Sequence, residues 1–231
     1  MTSQQPRYSR QQILSAIDHT YLKPEGTPEQ ALVVVREALA HGFKAACVRP
    51  SDVVGAASLL ANSAISLCTV VGFPHGNSAT ESKVTETRIA TAAGAVEVDM
   101  VINQGWLRAG MFAEVRADIA AVAEAAHAGG AILKVIFETC NLTDGEIVAA
   151  CEASVSAGAD FVKTSTGFAS GGATVEAVAL MRATVGPNIG VKASGGIRTL
   201  ADAIAMLDAG ASRIGCSASV SILAEYDAAT N

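Results

Sequence analysis

The sequence predicts an α/β fold, a single (β/α)₈ TIM barrel that spans residues 1–231. Eight short β-like runs recur along the chain, and alanine-rich segments with helical spacing separate them. A length of 231 residues suits eight such units in one domain, and no low-complexity linker divides the chain. An open doubly wound sheet is the alternative, but it usually has a glycine-rich turn after its first strand, and "DHTYLKPEGT" has none.

Each predicted strand is a short, mostly apolar run that is followed by a helix-like segment. Strands that alternate with helices in this way form parallel sheets, because each helix carries the chain back to the same edge. The predicted strands are 16–20 (AIDHT), 44–48 (KAACV), 65–71 (ISLCTVV), 95–102 (AVEVDMVI), 131–137 (AILKVIF), 160–165 (DFVKTS), 189–194 (IGVKAS) and 212–217 (SRIGCS).

Two of the intervening segments carry clear helix boundaries. In "TPEQALVVVREALAHG", Thr27 is the expected N-cap, Pro28 the first helical residue and Gly42 the stop. In "LTDGEIVAACEASVSAG", Thr143 stands three residues before Glu146, which is a capping-box pattern. Gly-Ala pairs before several strands indicate helix C-caps that lead into the next strand. These pairs are Gly94-Ala95, Gly130-Ala131, Gly158-Ala159 and Gly210-Ala211.

Composition excludes several classes of partner. The formal net charge is −6 and no long basic run exists, so a nucleic-acid partner is not expected. No stretch reaches the roughly 18 to 20 apolar residues of a membrane span, so no membrane partner is expected. The N-terminal segment "MTSQQPRYSR" is polar and short, so no signal peptide is expected.

The cysteines and histidines favour a reduced compartment and no metal. The five cysteines are scattered without a CxxC pair, which favours a reduced, cytoplasmic setting. The four histidines are equally dispersed, so no metal-ligand spacing stands out, and neither a metal nor a cofactor is expected.

Asp99, Lys134, Lys163 and Lys192 stand within or near the ends of four consecutive predicted strands. Lys134 and Lys163 are 29 residues apart, and so are Lys163 and Lys192. Equal βα units would place the three amines at a similar height on neighbouring strands. An unpaired buried ammonium costs several kcal/mol, so a fold does not keep three without compensation. The alternative is that each lysine lies at a strand end and extends its amine to water.

Functional sites of such barrels lie at the C-terminal ends of the strands. A lysine there that is flanked by other cations and removed from water loses its proton more readily, since both effects disfavour the ammonium form. The neutral amine is a nucleophile that condenses with a carbonyl to give a Schiff base. The protonated imine accepts electrons and permits C–C cleavage or formation at the adjacent carbon without a metal.

Glycine-rich turns after the seventh and eighth strands predict a phosphate site. "ASGGIRT" contains Gly195 and Gly196, and "GCSASV" contains Gly215 and Ser217 before the last predicted helix. Loops after strands seven and eight, together with a helix N-terminus, form the recurrent phosphate cradle of these barrels. Gly167 in "STGF" is expected to add another N–H donor. The alternative is that these glycines only form ordinary βα turns.

The residues therefore favour a Schiff-base aldolase that acts on a small sugar phosphate. Two other interpretations stay open. One is a different phosphate-binding barrel enzyme, such as a metal-free sugar-phosphate isomerase or a transaldolase. The other is a catalytically silent barrel that only binds a phosphorylated metabolite.

The chain also resembles the deoxyribose-phosphate aldolase family, a class I aldolase family, over nearly its full length. The resemblance is carried by eight motifs in the family's order: "DHTYLKPEGT", "ACVRPSD", "GFPHG", "GAVEVDMVIN", "LKVIFET", "VKTSTGF", "VKASGGIRT" and "RIGCSAS". It implies a homodimeric or larger cytoplasmic lyase of deoxyribonucleotide catabolism. Its reaction would be reversible cleavage of 2-deoxy-D-ribose 5-phosphate to D-glyceraldehyde 3-phosphate and acetaldehyde.

The motif matches imply roles for individual residues. Lys163 in "VKTSTGF" is similar to the Schiff-base nucleophile, and Lys192 in "VKASGG" to the neighbouring cation that favours its neutral form and relays protons. Asp99 in "EVDMV" is similar to the proton donor and acceptor, acting through a water.

The remaining matches imply substrate contacts. Asp18 and Thr20 in "DHT" and Lys134 in "LKVIFET" are similar to residues that contact substrate hydroxyls, and Thr166 is expected to contact substrate. Cys47 in "ACVRP" is expected either in the pocket wall or as a small core residue. The expected phosphate contacts are Gly167, Gly195, Gly196, Gly215 and Ser217.

The chain departs from the family's pattern at two places. Some members end in a flexible tail whose tyrosine assists proton transfer, but Tyr226 is expected within or just after the last helix and is not given that role. His75 in "GFPHG" stands where an apolar residue is usual, and it is expected either at the surface or at the pocket edge.

Overall fold

The computed structural model describes residues 7–230. The first six residues, which belong to the segment that lacks a signal-peptide pattern, lie outside the described part. None of the described helices is long and apolar enough to cross a bilayer.

Eight parallel strands close into a barrel in chain order, β1 to β8, and β1 pairs with β8. The predicted (β/α)₈ barrel is therefore confirmed, and each of the eight predicted strands has its counterpart. The first observed strand has the predicted length and begins one residue later, and the other seven are shorter than predicted by one to three residues, because only the residues in the ladder count as strand. They are β1 Ile17–Tyr21, β2 Ala45–Val48, β3 Ser66–Val71, β4 Glu97–Val101, β5 Ile132–Ile136, β6 Phe161–Lys163, β7 Gly190–Ser194 and β8 Arg213–Cys216.

Ten α-helices and two short 3₁₀ helices, Pro50–Asp52 and Thr139–Asn141, lie within the described residues, and most of the α-helices cover the outside of the barrel. One additional helix precedes the first strand, and a short one follows β4, so the pattern has two helices more than the eight that the repeat requires. The helices are α1 Arg10–Ala16, α2 Pro28–His41, α3 Val53–Leu60, α4 Thr80–Ala92, α5 Gln104–Arg108, α6 Phe112–Ala128, α7 Asp144–Ser156, α8 Val175–Val185, α9 Leu200–Asp208 and α10 Ser219–Thr230.

The predicted helix boundaries are confirmed. The Thr27 side chain accepts a hydrogen bond from the Gln30 amide, and Gly42 ends α2 in the left-handed conformation with φ 75°. Thr143 and Glu146 form the predicted capping box at the start of α7. The glycine of each predicted Gly-Ala pair has a positive φ, which only glycine adopts at little cost. These glycines are Gly94, Gly130, Gly158 and Gly210.

Alternate strand residues divide into two environments. One set points outward and packs against the helices in the main apolar core, as Val98 and Met100 of β4 do. Their neighbours Glu97 and Asp99 point inward and are buried in the barrel interior. The apolar core that stabilises the fold is thus the layer between strands and helices, which leaves the interior free to hold charged groups.

The last helix is joined to the first strand by a buried histidine. His19 of β1 contacts the hydroxyl of Ser219 at 2.9 Å and a carboxylate oxygen of Glu37 at 2.7 Å. Ser219 is the first residue of α10, so this contact fixes the helix start beside the loop that follows β8. Tyr226 lies within α10, which is one of the two positions that the sequence predicts, and its side chain is buried in the core.

Candidate active site

The barrel interior contains a set of charged side chains that lie within ion-pair distance of one another. Four are cationic and three are carboxylates, and each has less than a tenth of its surface exposed. They come from β1, β4, β5, β6, β7 and β8, so their contacts cross the barrel. The set consists of Lys134, Lys163, Lys192 and Arg213 with Asp18, Glu97 and Asp99.

Asp99 of β4 is the centre of this set. Its Oδ1 accepts a hydrogen bond from Lys134 Nζ at 2.8 Å, and its Oδ2 accepts from Lys163 Nζ and Lys192 Nζ, each at 2.8 Å. Burial by itself would raise the pKa of Asp99, but the three ammonium groups outweigh it and hold the pKa well below its usual range. Asp99 is therefore an ionised carboxylate in contact with all three lysines.

Lys134 and Lys192 each have a second carboxylate. Lys134 Nζ lies 2.6 Å from Glu97 Oε2, and Lys192 Nζ lies 2.6 Å from Asp18 Oδ2. Burial alone would lower the pKa of both amines, but Asp99 and the second carboxylate raise it above its usual value in each case. Both amines are therefore firmly cationic.

Arg213 connects the two outer carboxylates beneath the lysines. Its guanidinium lies 2.5 Å from Asp18 Oδ1 and 2.8 Å from Glu97 Oε2. Burial opposes the charge of Arg213, but the two carboxylates raise its pKa above the usual value. Arg213 and Glu97 were not among the predicted site residues, although both carry the same signal, a charged residue inside a buried strand.

Lys163 differs from the other three cations in its environment. Asp99 is its one carboxylate partner among the described residues, and Asp99 is already shared with Lys134 and Lys192. Lys163 also borders the large cavity at the barrel mouth, although only 3% of its surface is exposed. It is thus the least compensated cation of the set and the one that a substrate can reach.

The strand register relates the three lysines to one another. Lys163 pairs directly with Lys192 across β6 and β7, whereas Ile136, two residues after Lys134, pairs with Lys163 across β5 and β6. Because the strands of a barrel are tilted, residues paired in register do not lie at one height, and an offset of two residues in the register does not separate the amines. All three Nζ atoms lie 2.8 Å from an oxygen of Asp99, so the prediction of three amines at a similar height is confirmed.

A cavity of ≈ 610 Å³ opens at the C-terminal ends of the strands, on the side of Lys163. The predicted phosphate residues all line it, and three of the glycines have positive φ, which turns the backbone in a way that other residues rarely adopt. Arg198, which the sequence analysis did not single out, lines the same wall. The predicted residues in this wall are Gly167, Gly195, Gly196, Gly215 and Ser217.

The predicted substrate contacts divide into two groups. Thr20 and Thr166 line the cavity, although the Thr166 hydroxyl already donates a hydrogen bond to the buried carboxylate of Glu138. Asp18, Lys134 and Cys47 are fully buried and lie behind the cavity wall, among or beside the charged set. These three side chains therefore contact the charged set and do not line the cavity, so their predicted contact with substrate stays a prediction.

His75 lies outside the large cavity. It is exposed and borders a smaller cavity of ≈ 170 Å³ together with Glu138, Thr166 and Phe168. Thr166 and Phe168 line both cavities, and the ring of Phe168 packs edge-on against Phe73.

Three residues of the interior have ligand atoms that a metal could share. The sulfurs of Cys47 and Cys68 and a carboxylate oxygen of Asp99 lie within 4.8 Å of one another. Both oxygens of Asp99 are already bound by ammonium groups, and the surrounding charges are predominantly positive. This environment repels a cation, so the geometry favours lysine chemistry over metal chemistry here.

Comparison with known proteins agrees with this geometry. Residues 12–223 match the model of the DeoC/LacD family aldolases. The chain belongs to this family. The resemblance that the motifs indicated is thereby confirmed at the level of the family.

Three related proteins illustrate the similarity. A protein of Brevibacillus brevis named deoxyribose-phosphate aldolase is 58% identical over 90% of this chain and 93% of its own. A Coccidioides immitis structure, described as a candidate deoxyribose-phosphate aldolase, superposes with a TM-score of 0.92 at 44% identity, covering 96% of this chain and 88% of that one. The tetrameric deoxyribose phosphate aldolase of Aeropyrum pernix gives a TM-score of 0.88 at 35% identity, covering 95% and 92%.

The buried guanidinium generates a prediction about stability. Substitution Arg213→Met removes the cation between Asp18 and Glu97 and leaves two buried carboxylates with fewer partners. We expect the free energy of unfolding to fall by about 3–5 kcal/mol, measured by urea denaturation. The control is Arg10→Met, which breaks an exposed ion pair with Asp227 and should change stability little. Equal stability of the two variants would contradict the role of Arg213.

Proposed function

We propose that this protein is a class I aldolase that reversibly cleaves 2-deoxy-D-ribose 5-phosphate to D-glyceraldehyde 3-phosphate and acetaldehyde. The reaction proceeds through a Schiff base on Lys163. The environment of Lys163 carries the proposal: it is the least compensated cation of a buried set, and it borders the cavity. The names of the related proteins support the substrate, since the Brevibacillus brevis protein is a deoxyribose-phosphate aldolase.

The charge count explains why Lys163 provides the nucleophile. Four cations and three carboxylates leave one positive charge in excess if all are ionised. Release of a proton from Lys163 removes this excess at the amine with the fewest carboxylate contacts. Lys192, which lies beside it on β7 and binds two carboxylates, keeps its proton and disfavours a second charge nearby.

The first half of the reaction forms the imine. The neutral Lys163 amine attacks C1 of the open-chain sugar, and the carbinolamine loses water to give the protonated imine. Lys192 and Asp99 lie within hydrogen-bond distance of each other, and Asp99 contacts Lys163, so a proton can pass along this row during dehydration.

The second half breaks the C2–C3 bond. A water held by the Asp99 carboxylate takes the C3 hydroxyl proton, and the bonding electrons move into the imine to give an enamine. Glyceraldehyde 3-phosphate leaves, the enamine is protonated at C2, and hydrolysis frees acetaldehyde and restores the lysine. Acid–base assistance of this kind commonly contributes about 10²- to 10⁴-fold in rate.

The phosphate binds in the glycine-rich wall of the cavity. Gly195, Gly196 and Gly167 present backbone N–H groups without side chains in the way, and Arg198 supplies a positive charge. Gly215 keeps the wall thin where it passes Lys192, since a Cβ there would lie 2.9 Å from Lys192 Cε. Binding of the remote phosphate places C1 near Lys163 and lowers the entropic cost of the reaction.

The assembly and cellular role are further parts of the proposal. We expect a homodimer or larger homo-oligomer, which the tetrameric Aeropyrum pernix relative supports. Exposed apolar side chains such as Val54 and Ile89 provide surface that a second copy could cover. A cytoplasmic role in deoxyribonucleotide catabolism follows from the proposed substrate.

Chemical trapping tests the nucleophile. Incubation with acetaldehyde and sodium borohydride should reduce the imine and leave a stable ethyl adduct on the Lys163 peptide, detected by mass spectrometry. The adduct should be absent in Lys163→Met and present in the control Lys44→Met, which changes an exposed lysine outside the cavity. An adduct on another residue, or none, would remove the aldolase proposal in favour of a silent phosphate-binding barrel.

Removal of the neighbouring cation tests the charge argument. Lys192→Leu should lower kcat by two or more orders of magnitude, because the variant loses both the proton relay and the charge that favours the neutral amine. Unchanged activity between pH 6 and 9 would contradict this role.

The phosphate wall is tested by comparing two substrates. Arg198→Met should raise KM for 2-deoxyribose 5-phosphate by about tenfold, because a charge-assisted hydrogen bond contributes about 1.5 kcal/mol. KM for unphosphorylated 2-deoxyribose should not change. Arg88→Met is the control, since Arg88 is exposed and borders a different groove. A parallel change for both sugars would show that Arg198 does not bind the phosphate.

A further inference from the structure

Two cysteines stand directly opposite each other on neighbouring strands inside the barrel. Cys47 of β2 pairs with Cys68 of β3, and both are fully buried free thiols. Neighbouring strands lie about 4.8 Å apart, which is within the Cα separation of about 4.4–6.8 Å that a disulfide requires. The backbone of the barrel therefore already holds these two residues at a distance that a disulfide can span.

The two sulfurs are directed towards the catalytic carboxylate. Both Sγ atoms and a carboxylate oxygen of Asp99 lie within 4.8 Å of one another. The Cys68 thiol donates a hydrogen bond to Asp99 Oδ1 at 3.2 Å, and its sulfur accepts one from Lys134 Nζ at 3.4 Å. Oxidation of Cys68 would therefore alter the hydrogen bonds of two members of the charged set, Asp99 and Lys134.

The two thiols differ in their readiness to ionise. The hydrogen bond with Cys68 is the main cause that lowers the pKa of Cys47, and the Lys192 and Lys163 amines act in the same direction against burial. Burial, followed by the hydrogen bond with Cys47 and the charge of Asp99, raises the pKa of Cys68 well above its usual value. Cys47 is thus the sulfur that reacts first, and Cys68 retains the proton.

The pair lies close to the cavity. Thr20, which lines the cavity, pairs with Cys47 across β1 and β2. Lys163, which borders the same cavity, shares Asp99 with Cys68. The thiol pair is thus one strand from Thr20 and one shared carboxylate from Lys163, both of which border the cavity.

We propose that Cys47 and Cys68 form a reversible disulfide when a peroxide enters the barrel mouth, and that this disulfide switches the aldol site off. The Cys47 thiolate attacks one peroxide oxygen, the O–O bond breaks, and a sulfenic acid and hydroxide form. The Cys68 sulfur then attacks the sulfenic sulfur, the S–S bond forms, and water leaves with the Cys68 proton. The two thiols lose two electrons in total, and these reduce hydrogen peroxide to two waters.

Loss of activity follows from the contacts that the disulfide removes. Cys68 no longer donates to Asp99, and its sulfur is drawn towards Cys47 and away from Lys134. The carboxylate that orders the three lysines thus loses one of its four donors. The effect on activity rests on the proposed function, whereas formation of the disulfide does not.

Mass spectrometry after peroxide treatment tests the thiol pair. The Cys140→Ser variant is used as the parent, because Cys140 is an exposed thiol that would react by itself. After hydrogen peroxide, denaturation and alkylation, we expect loss of two hydrogen atoms and a non-reduced peptide that links Cys47 to Cys68. Deoxyribose-phosphate cleavage should fall in proportion to the linked fraction and return with dithiothreitol.

Three further variants serve as controls in the same parent. Cys68→Ala should give no linked peptide, and Cys47 should instead accumulate two oxygens that dithiothreitol does not remove. Cys47→Ser should leave Cys68 fully alkylated. Cys151→Ser changes a buried cysteine on α7, whose pKa burial raises to about 12, and should keep the linked peptide.

The possible results distinguish failure of the disulfide, failure of its effect on the site, and failure of the proposed function. Full alkylation of Cys47 and Cys68 in the parent, at a peroxide dose that oxidises Cys140 in the unsubstituted protein, would overturn the proposal. Two oxygens on Cys47 with Cys68 free would do the same. A linked protein with undiminished activity would overturn the effect on the site. If the reduced protein cleaves no deoxyribose phosphate, the proposed function fails, while the masses still decide whether the disulfide forms.

Discussion

The charged interior of the barrel depends on one carboxylate. Asp99 accepts hydrogen bonds from the amines of Lys134, Lys163 and Lys192, and from the thiol of Cys68. Each side of this arrangement requires the other: burial would neutralise Asp99 without the ammonium groups, and the buried amines would lose their charge without Asp99. An uncompensated charge at this depth costs several kcal/mol, so β4, β5, β6 and β7 are coupled through their inward side chains.

The barrel interior can hold charged side chains because the apolar core of this fold lies elsewhere, between the strands and the helices. The apolar layer between strands and helices supplies the hydrophobic burial, as Val98 and Met100 of β4 illustrate. The inward residues are then available for a compact polar set, which the Arg213 guanidinium closes from below through Asp18 and Glu97. The set has one more cation than carboxylates. Lys163, which borders the cavity, has one carboxylate partner among the described residues, Asp99, and shares it with Lys134 and Lys192. The proposed chemistry uses this imbalance, since the amine with the fewest carboxylate contacts is also the one that borders the cavity.

Much of the fold and part of the site were predictable because their signals are local. A strand is a short apolar run, a helix start is a Thr followed by Pro or by Glu three residues on, and a helix end is a Gly with positive φ. Asp99, Lys163 and Lys192 were recognisable as charges inside such runs. Arg213 and Glu97 carried the same signal and stand in two of the quoted motifs, but a charge inside a strand does not by itself show which opposite charge it meets across the barrel.

The sequence by itself determined the number and order of the strands, the caps of two helices, and the family to which the chain belongs. These properties depend on residues that are close along the chain or on motifs that are contiguous. The tertiary structure alone decided which carboxylate partners which cation, that Cys47 faces Cys68, and that Lys163 rather than Lys134 borders the cavity. The physical reason is that these contacts arise from barrel closure and strand stagger, which join residues as far apart as Asp18 and Arg213, 195 positions along the chain.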